Sequence, residues 1–260
     1  MIWWHAVVIT VAGVWAGMIN AVVGSGTLVT FPVLVALGYP PVTATTSNAI
    51  GLAPGSISGA VGYRHELRGQ RTRLLRFTPA SLIGALCGAV LLLSLPADAF
   101  ETVVPALVGL AVVLVIVQPK VSSWVLRRRE EREQSGAAEA AYGGWLVLGL
   151  IFLIGVYGGY FTAAQGVMLM AVMGMLLNET LQRLNAVKNV LSAVVNVVAG
   201  TVYAFVAPVN WIVVALLAVG SVAGGLLGAK VGRRLSPTAL RAVIVIVGLA
   251  AMVQLVVRQL

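Results

Sequence analysis

The chain has 260 residues, 60% of them hydrophobic and 10% charged, and no Asp, Glu, Lys or Arg precedes Arg64. That balance excludes a water-soluble globular domain, and the continuously apolar runs exclude a β-barrel, whose strands alternate lipid-facing and lumen-facing residues. The net charge of +9 rests on 17 basic residues clustered mainly at 64–76, 120–132 and 230–241; they flank apolar runs as cytoplasmic loops do and lack the interleaved aromatics of a base-stacking surface, which excludes nucleic acid as a partner.

A helix needs about 20 apolar residues to cross about 30 Å of hydrocarbon. On that basis membrane segments are predicted at 3–23, 43–62, 77–95, 102–118, 143–164, 184–206, 211–229 and 242–257, with two half-length segments at 27–38 and 167–177. The start, Met1-Ile2-Trp3-Trp4-His5, lacks the basic opening of a signal peptide and is expected to enter the first helix with Trp3 and Trp4 at the interface.

The first long segment ends at Gly24-Ser25-Gly26, where missing side chains let the backbone turn sharply. A half-helix follows, and its N-terminal amides favour an anion. The next long segment opens with Thr45-Thr46-Ser47-Asn48, a cluster that reads either as a helix cap or as a set of ligands. Cys87 lies inside an apolar run and is expected to be a small packing residue. Residues 119–142 contain Arg127-Arg128-Arg129-Glu130-Glu131-Arg132-Glu133 and read as a charged, partly helical cytoplasmic linker. Around it the chain divides into repeats at 1–118 and 143–260.

The second half repeats the pattern. Its break runs from Gly158-Gly159 to Gln165-Gly166, and its polar cluster is Asn185-Ala186-Val187-Lys188-Asn189. Aligning Asn48 with Asn189 sets Ser47 against Lys188, so both halves place a hydrogen-bond donor beside an Asn; Asn20, Asn185 and Asn196 add further amides. Paired broken segments at matching places point to the substrate site of a transporter. Non-helical backbone at membrane depth is tolerated only where it is buried or lines a wet cavity. The candidate substrate residues are therefore Asn20, Gly24, Ser25, Gly26, Thr46, Ser47, Asn48, Gln165, Gly166, Asn185, Lys188 and Asn189. For Lys188 two readings stand: an intramembrane charge for the substrate, or a side chain snorkelling to the headgroups. Arg183, near Glu179, reads as a rim residue.

All eight acidic residues fall in expected loops or at helix ends, which disfavours cation pumping and carboxylate proton relays. No nucleophile and base, metal cluster or buried acid pair is present in the pattern, so neither an enzyme nor a cofactor or metal site is expected. If the second broken element enters and returns as a hairpin, all three basic clusters share the cytoplasmic face and the repeats are inverted. The expected fold is thus an all-α polytopic membrane protein of two tandem repeats, inverted in this reading, each with a glycine-broken helix or re-entrant hairpin followed by three transmembrane helices. A parallel arrangement stays open.

The stretch from Gly17 to Pro32, with Leu37-Gly38-Tyr39-Pro40-Pro41-Val42-Thr43-Ala44 leading to Thr45-Thr46-Ser47-Asn48, resembles the first repeat signature of the sulfite exporter family of TauE/SafE type. Residues 155–196 resemble that family's second repeat. In this chain Gly24-Ser25-Gly26 stands in place of the longer glycine run common there. The resemblance implies a bacterial inner-membrane carrier exporting sulfite or a related organosulfur anion such as sulfoacetate, with basic loops cytoplasmic and the site between the repeats. An anion channel and a non-transporting scaffold are the alternatives, and a homodimer is left open.

Overall fold

The computed structural model describes residues 3–135, 144–231, 242, 244–250 and 252. Among them the elements are α1 (Trp3–Val22), α2 (Thr27–Ala36), α3 (Pro41–Gly62), α4 (Arg71–Ser94), α5 (Ala97–Ser135), α6 (Trp145–Tyr160), α7 (Gln165–Leu176), α8 (Leu181–Val206) and α9 (Trp211–Val231). The chain is an all-helical membrane protein, and five of these helices, α1, α4, α5, α8 and α9, are long and apolar enough to cross a bilayer. The half-length segments expected at 27–38 and 167–177 are α2 and α7.

Three boundaries differ from the sequence expectation. Helix α4 starts at Arg71 rather than 77, because Arg71 keeps its head at an exposed position while its stem covers apolar surface and the buried Arg73 is answered by Glu179. Helix α5 runs unbroken to Ser135, about 58 Å, so the expected linker begins as a continuation of a membrane helix; 136–142 lie outside the described residues. The second break is at 161–164, and Gly158 and Gly159 remain helical within α6. Its left-handed residue is Ala164, at φ 58°, where the first break uses Gly24 at φ 92°. Of the segment expected at 242–257, residues 242, 244–250 and 252 are helical and rest on α5, with Gly248 against Val112; 243, 251 and 253–257 lie outside the described residues, as do Arg233, Arg234 and Arg241 of the last basic cluster.

Apolar helices gain little from hydrophobicity when the surroundings are equally apolar, so small residues that admit close backbone approach decide the packing. Two seams are built this way. Along the first, Gly220 lies on the Thr10 carbonyl, Gly224 on that of Val14 and Gly228 on that of Met18, so α1 and α9 run parallel. Along the second, Gly155 lies on Ser81, Gly84 on Val156 and Gly159 on Ala85, so α4 and α6 run parallel too. Helix α3 runs parallel to α9, from Gly51 against Leu217 to Gly62 against Ala229. It is antiparallel to α8, since Ile50 faces Gly200 while Gly59 lies near Asn189. The glycines at 55, 59, 84, 88, 224 and 228, spaced for helix packing, thus lie on such seams. Cys87 instead is exposed on α4, on the outward face next to the one that carries Gly84, Gly88 and the α6 seam.

The C-terminal ends of α3 and α9 and the N-terminal ends of α4 and α8 gather at one end of the bundle. There Gly62 meets Ala229, and Arg73 pairs with Glu179.

Candidate functional site

Breaking a helix inside the bundle frees carbonyls at the end of one piece and amides at the start of the next. At the first break both sets are answered by particular side chains. Asn20, in the last turn of α1, accepts the Gly26 amide on its Oδ1 at 2.7 Å, tying the two sides of the turn together. Lys188 donates from Nζ to the Asn20 carbonyl at 2.7 Å and the Ala21 carbonyl at 3.4 Å. Asn185 and Asn189 donate from Nδ2 to the same Ala21 carbonyl at 3.1 and 3.3 Å. The second polar cluster therefore caps α1, at the negative end of that helix dipole. Lys188 is 0% exposed, so it does not reach the headgroups.

The two breaks touch. The Gly166 amide donates to the Gly24 carbonyl at 3.0 Å, and a Cβ on either glycine would stand 2.5 Å from the other's Cα. Helices α2 and α7 thus start back to back, and neither has a side-chain cap at its N-terminus. Beside this contact Ser25, 0% exposed, and Gln165, 2% exposed, hold a hydroxyl and an amide Nε2 with no hydrogen-bond partner among the described residues. Buried polar atoms are almost always paired; these two belong to a small set that is not, and they alone of that set lie at the breaks themselves.

Aromatic rings close one flank. Phe31 of α2 meets Phe161 of the second break edge to face, with centroids 5.2 Å apart. Phe100 of α5 lies against Tyr160 and Phe161. The Tyr203 hydroxyl donates to the Gly159 carbonyl near the end of α6, doing for the second break part of what Lys188 does for the first.

Not every candidate residue gathers here. Asn20, Gly24, Ser25, Gly26, Gln165 and Gly166 form the break core, with Asn185, Lys188 and Asn189 behind it on α8. Asn48 holds α2 in place: its Oδ1 accepts from Thr30 Oγ1 and its Nδ2 donates to Thr27 Oγ1 at 3.0 Å. Thr46 and Ser47 stand apart, because Thr46 Oγ1 donates to the Pro208 carbonyl at 2.6 Å and Ser47 Oγ accepts from the Asn210 amide at 2.9 Å. The capping reading of this cluster fails: α3 starts at Pro41 with Pro40 at its N-cap, and its polar residues sit within the helix. In α8 the cap is Thr180, which accepts from the Arg183 amide.

At the basic end, Glu179 bridges the halves. It pairs with Arg73 at 3.2 Å and Arg183 at 2.9 Å, while Gln70 Nε2 donates to the Arg183 carbonyl at 3.1 Å. Burial by itself would raise the Glu179 carboxyl, but the Thr180 amide, the hydrogen bonds from Arg73 and Arg183 and the charge of Arg183 outweigh it and hold the pKa below the ordinary value.

Sequence reasoning missed Thr27, Thr30, Ser56 and Tyr203. Thr27 and Thr30 were marked by their i, i+3 spacing in an otherwise apolar half-helix. Ser56 accepts from Asn196 Nδ2 at 3.0 Å across α3 and α8, and nothing local in the sequence announces that pair.

The description of one protein family, sulfite exporter TauE/SafE, matches residues 9–255. The chain is 26% identical over 221 residues to the probable membrane transporter protein YfcA of Escherichia coli strain K12, covering 85% of this chain and 76% of that protein. It is 25% identical over 234 residues to a probable membrane transporter protein of Haemophilus influenzae, covering 89% and 86%. To the probable membrane transporter protein ORF9 of a Sinorhizobium species it is 24% identical over 245 residues, covering 94% and 90%. No solved structure gives a significant match.

Proposed function

This chain belongs to the sulfite exporter TauE/SafE family of membrane transporters, and we propose from that premise that it exports sulfite or a related small organosulfur anion. The observation that carries the reading is the meeting of the α2 and α7 N-termini at Gly24 and Gly166, with Ser25 Oγ and Gln165 Nε2 buried and unpartnered beside them. Helix N-termini concentrate partial positive charge and amide donors, and a hydroxyl and a carboxamide supply neutral donors that hold an oxyanion without trapping it. Lys188 stands behind these donors, bonded to the carbonyl of Asn20, whose side chain holds the Gly26 amide. The geometry favours transport without chemical change to the substrate.

The site in this proposal lies between two inverted repeats. The antiparallel pairing of α3 with α8 supports inversion, since those helices are counterparts in the two halves. So does the matching of the α1 and α9 seam by the α6 and α4 seam. With the basic end cytoplasmic in a bacterial inner membrane, as the positive-inside preference directs, an anion leaving the cell gains roughly 2.3 kcal/mol per charge per 100 mV. Export then proceeds down the potential without a coupling ion.

The test is sulfite efflux from proteoliposomes of purified protein, with and without an imposed potential, comparing wild type with Lys188→Met. Saturable efflux, faster when the inside is negative and slower in the variant, is the expected result. Sulfite flux equal to that of protein-free vesicles, or flux unchanged in Lys188→Met, would overturn respectively the substrate and the role given to the lysine.

A further inference from the structure

We propose that the groove between α3, α4 and α8 at the basic end holds an anionic phospholipid, with its headgroup on Arg64 and Arg71 and an acyl chain along the apolar wall. Two cavities of about 440 and 520 Å³ open here, and both are lined by Leu67 and Thr78. Arg64 lines the larger and Arg71 the smaller. Both arginines are exposed, and neither side chain makes a hydrogen bond or ion pair among the described residues, in contrast to Arg73 and Arg183 at the same end of the bundle.

Below the arginines the wall is apolar and open to the side. Ile57, Val61, Leu82 and Val197 line it and remain between 40% and 50% exposed. From Arg64 down to Ile57, and from Arg71 down to Leu82, the helices descend roughly 10 and 16 Å. One leaflet of hydrocarbon is about 15 Å deep. A groove one leaflet long with two unpaired guanidiniums at its mouth matches a single lipid chain beneath a phosphate, and basic pockets between membrane helices on the cytoplasmic side select anionic headgroups. Charge complementarity decides against a zwitterionic lipid, whose ammonium would face the same two arginines.

The experiment is native mass spectrometry of the purified protein in detergent with dioleoyl phosphatidylglycerol and dioleoyl phosphatidylcholine in competition. Wild type, Arg64→Gln/Arg71→Gln, Val197→Trp and the remote control Arg127→Gln are compared. Wild type and Arg127→Gln are expected to retain one phosphatidylglycerol in preference to phosphatidylcholine. Losing both arginines is expected to weaken that retention roughly 30-fold, from about a factor of five for each basic group near the surface. Val197→Trp, which fills the wall and keeps the arginines, is expected to displace the lipid as well. Equal retention of the two lipids by wild type overturns the proposal whether or not any variant folds. Retention unchanged in the double arginine variant, or in Val197→Trp, overturns it too.

Discussion

Alanine at four glycines separates the forces that hold the two helix breaks together. Gly38 lies at φ 92° with nothing within 4 Å of where a Cβ would stand, so Gly38→Ala carries only the left-handed backbone penalty, about 1–2 kcal/mol. Gly166 is the reverse case. Its φ is not positive, but its Cβ would lie 2.5 Å from the Gly24 Cα and 2.9 Å from the Gly24 oxygen. Those atoms are backbone and cannot rotate aside, so Gly166→Ala costs about 1–3 kcal/mol as overpacking. Gly24→Ala carries both penalties, about 2–5 kcal/mol. Gly149 in α6 has open space around it, and alanine there gains about 0.5–1 kcal/mol of helix preference. At roughly 2–4 °C per kcal/mol, thermal unfolding in detergent should rank Gly149→Ala at or above wild type, Gly38→Ala and Gly166→Ala below it, and Gly24→Ala lowest. Sulfite flux should survive Gly38→Ala and fail in Gly24→Ala and Gly166→Ala. A Gly166→Ala protein as stable as Gly149→Ala would refute the backbone contact on which the site is built.

Two further substitutions probe the groups around the breaks. Asn48→Leu strands the hydroxyl of Thr27 in an apolar half-helix and leaves that of Thr30 only the Gly26 carbonyl at 3.5 Å, at about 1–3 kcal/mol for an unsatisfied buried group; adding Thr27→Val and Thr30→Val should restore much of the lost melting temperature, and failure to do so would mean the three side chains are not one unit. Glu179 is held below the ordinary carboxylate pKa, so its contribution is complete above the unfolded value, about 4.3, and is lost as pH falls through the folded value. Acid unfolding of wild type should therefore steepen below about pH 4, and Glu179→Gln should be less stable at neutral pH and lack that acid-sensitive component.

Element positions were legible because lipid imposes length: an apolar run either crosses or does not, and the two short runs at 27–38 and 167–177 were conspicuous. Boundaries failed where polar residues are compatible with helix. Arg71, at an exposed position, extends α4 outward because its head can reach water, and 119–135 continues α5 because its opposite charges fall four residues apart, as in Arg127 and Glu131 or Arg129 and Glu133, a spacing that suits a helix. The second break was drawn too wide for a different reason. Its flanking glycines were read as part of the interruption, whereas Gly158 and Gly159 are helical and are small so that Gln165 and Ala85 can lie against them; the left-handed residue is Ala164, a strained choice that only surrounding structure can sustain. The polar clusters were found, but their partners were not. Lys188 meets a carbonyl 168 residues earlier, and Ser47 meets an amide 163 residues later, distances over which local pattern carries no information.

Those partners bear on the sign of the charge that the site accepts. A broken helix presents carbonyls on one side of the gap and amides on the other, and transporters that bind cations do so through freed carbonyls and the C-terminal ends of half-helices. Here two carbonyls closing α1 are occupied: Asn20 O by Lys188 Nζ, and Ala21 O by Lys188, Asn185 and Asn189. At the other break Gly159 O is taken by Tyr203. A cation arriving at Gly24 and Gly166 would find the negative helix ends already answered and a lysine alongside. What stays unpartnered at the contact is Ser25 Oγ and Gln165 Nε2, beside helix starts that carry no side-chain cap. Replacing Lys188 by methionine would therefore do more than remove a donor: it would return the Asn20 carbonyl to the gap, while Ala21 O keeps Asn185 and Asn189, and so lower the barrier to cations. Measuring potassium alongside sulfite flux in the Lys188→Met protein checks this, because a lysine that served only to pack α8 against α1 would leave cation permeability at the wild-type level.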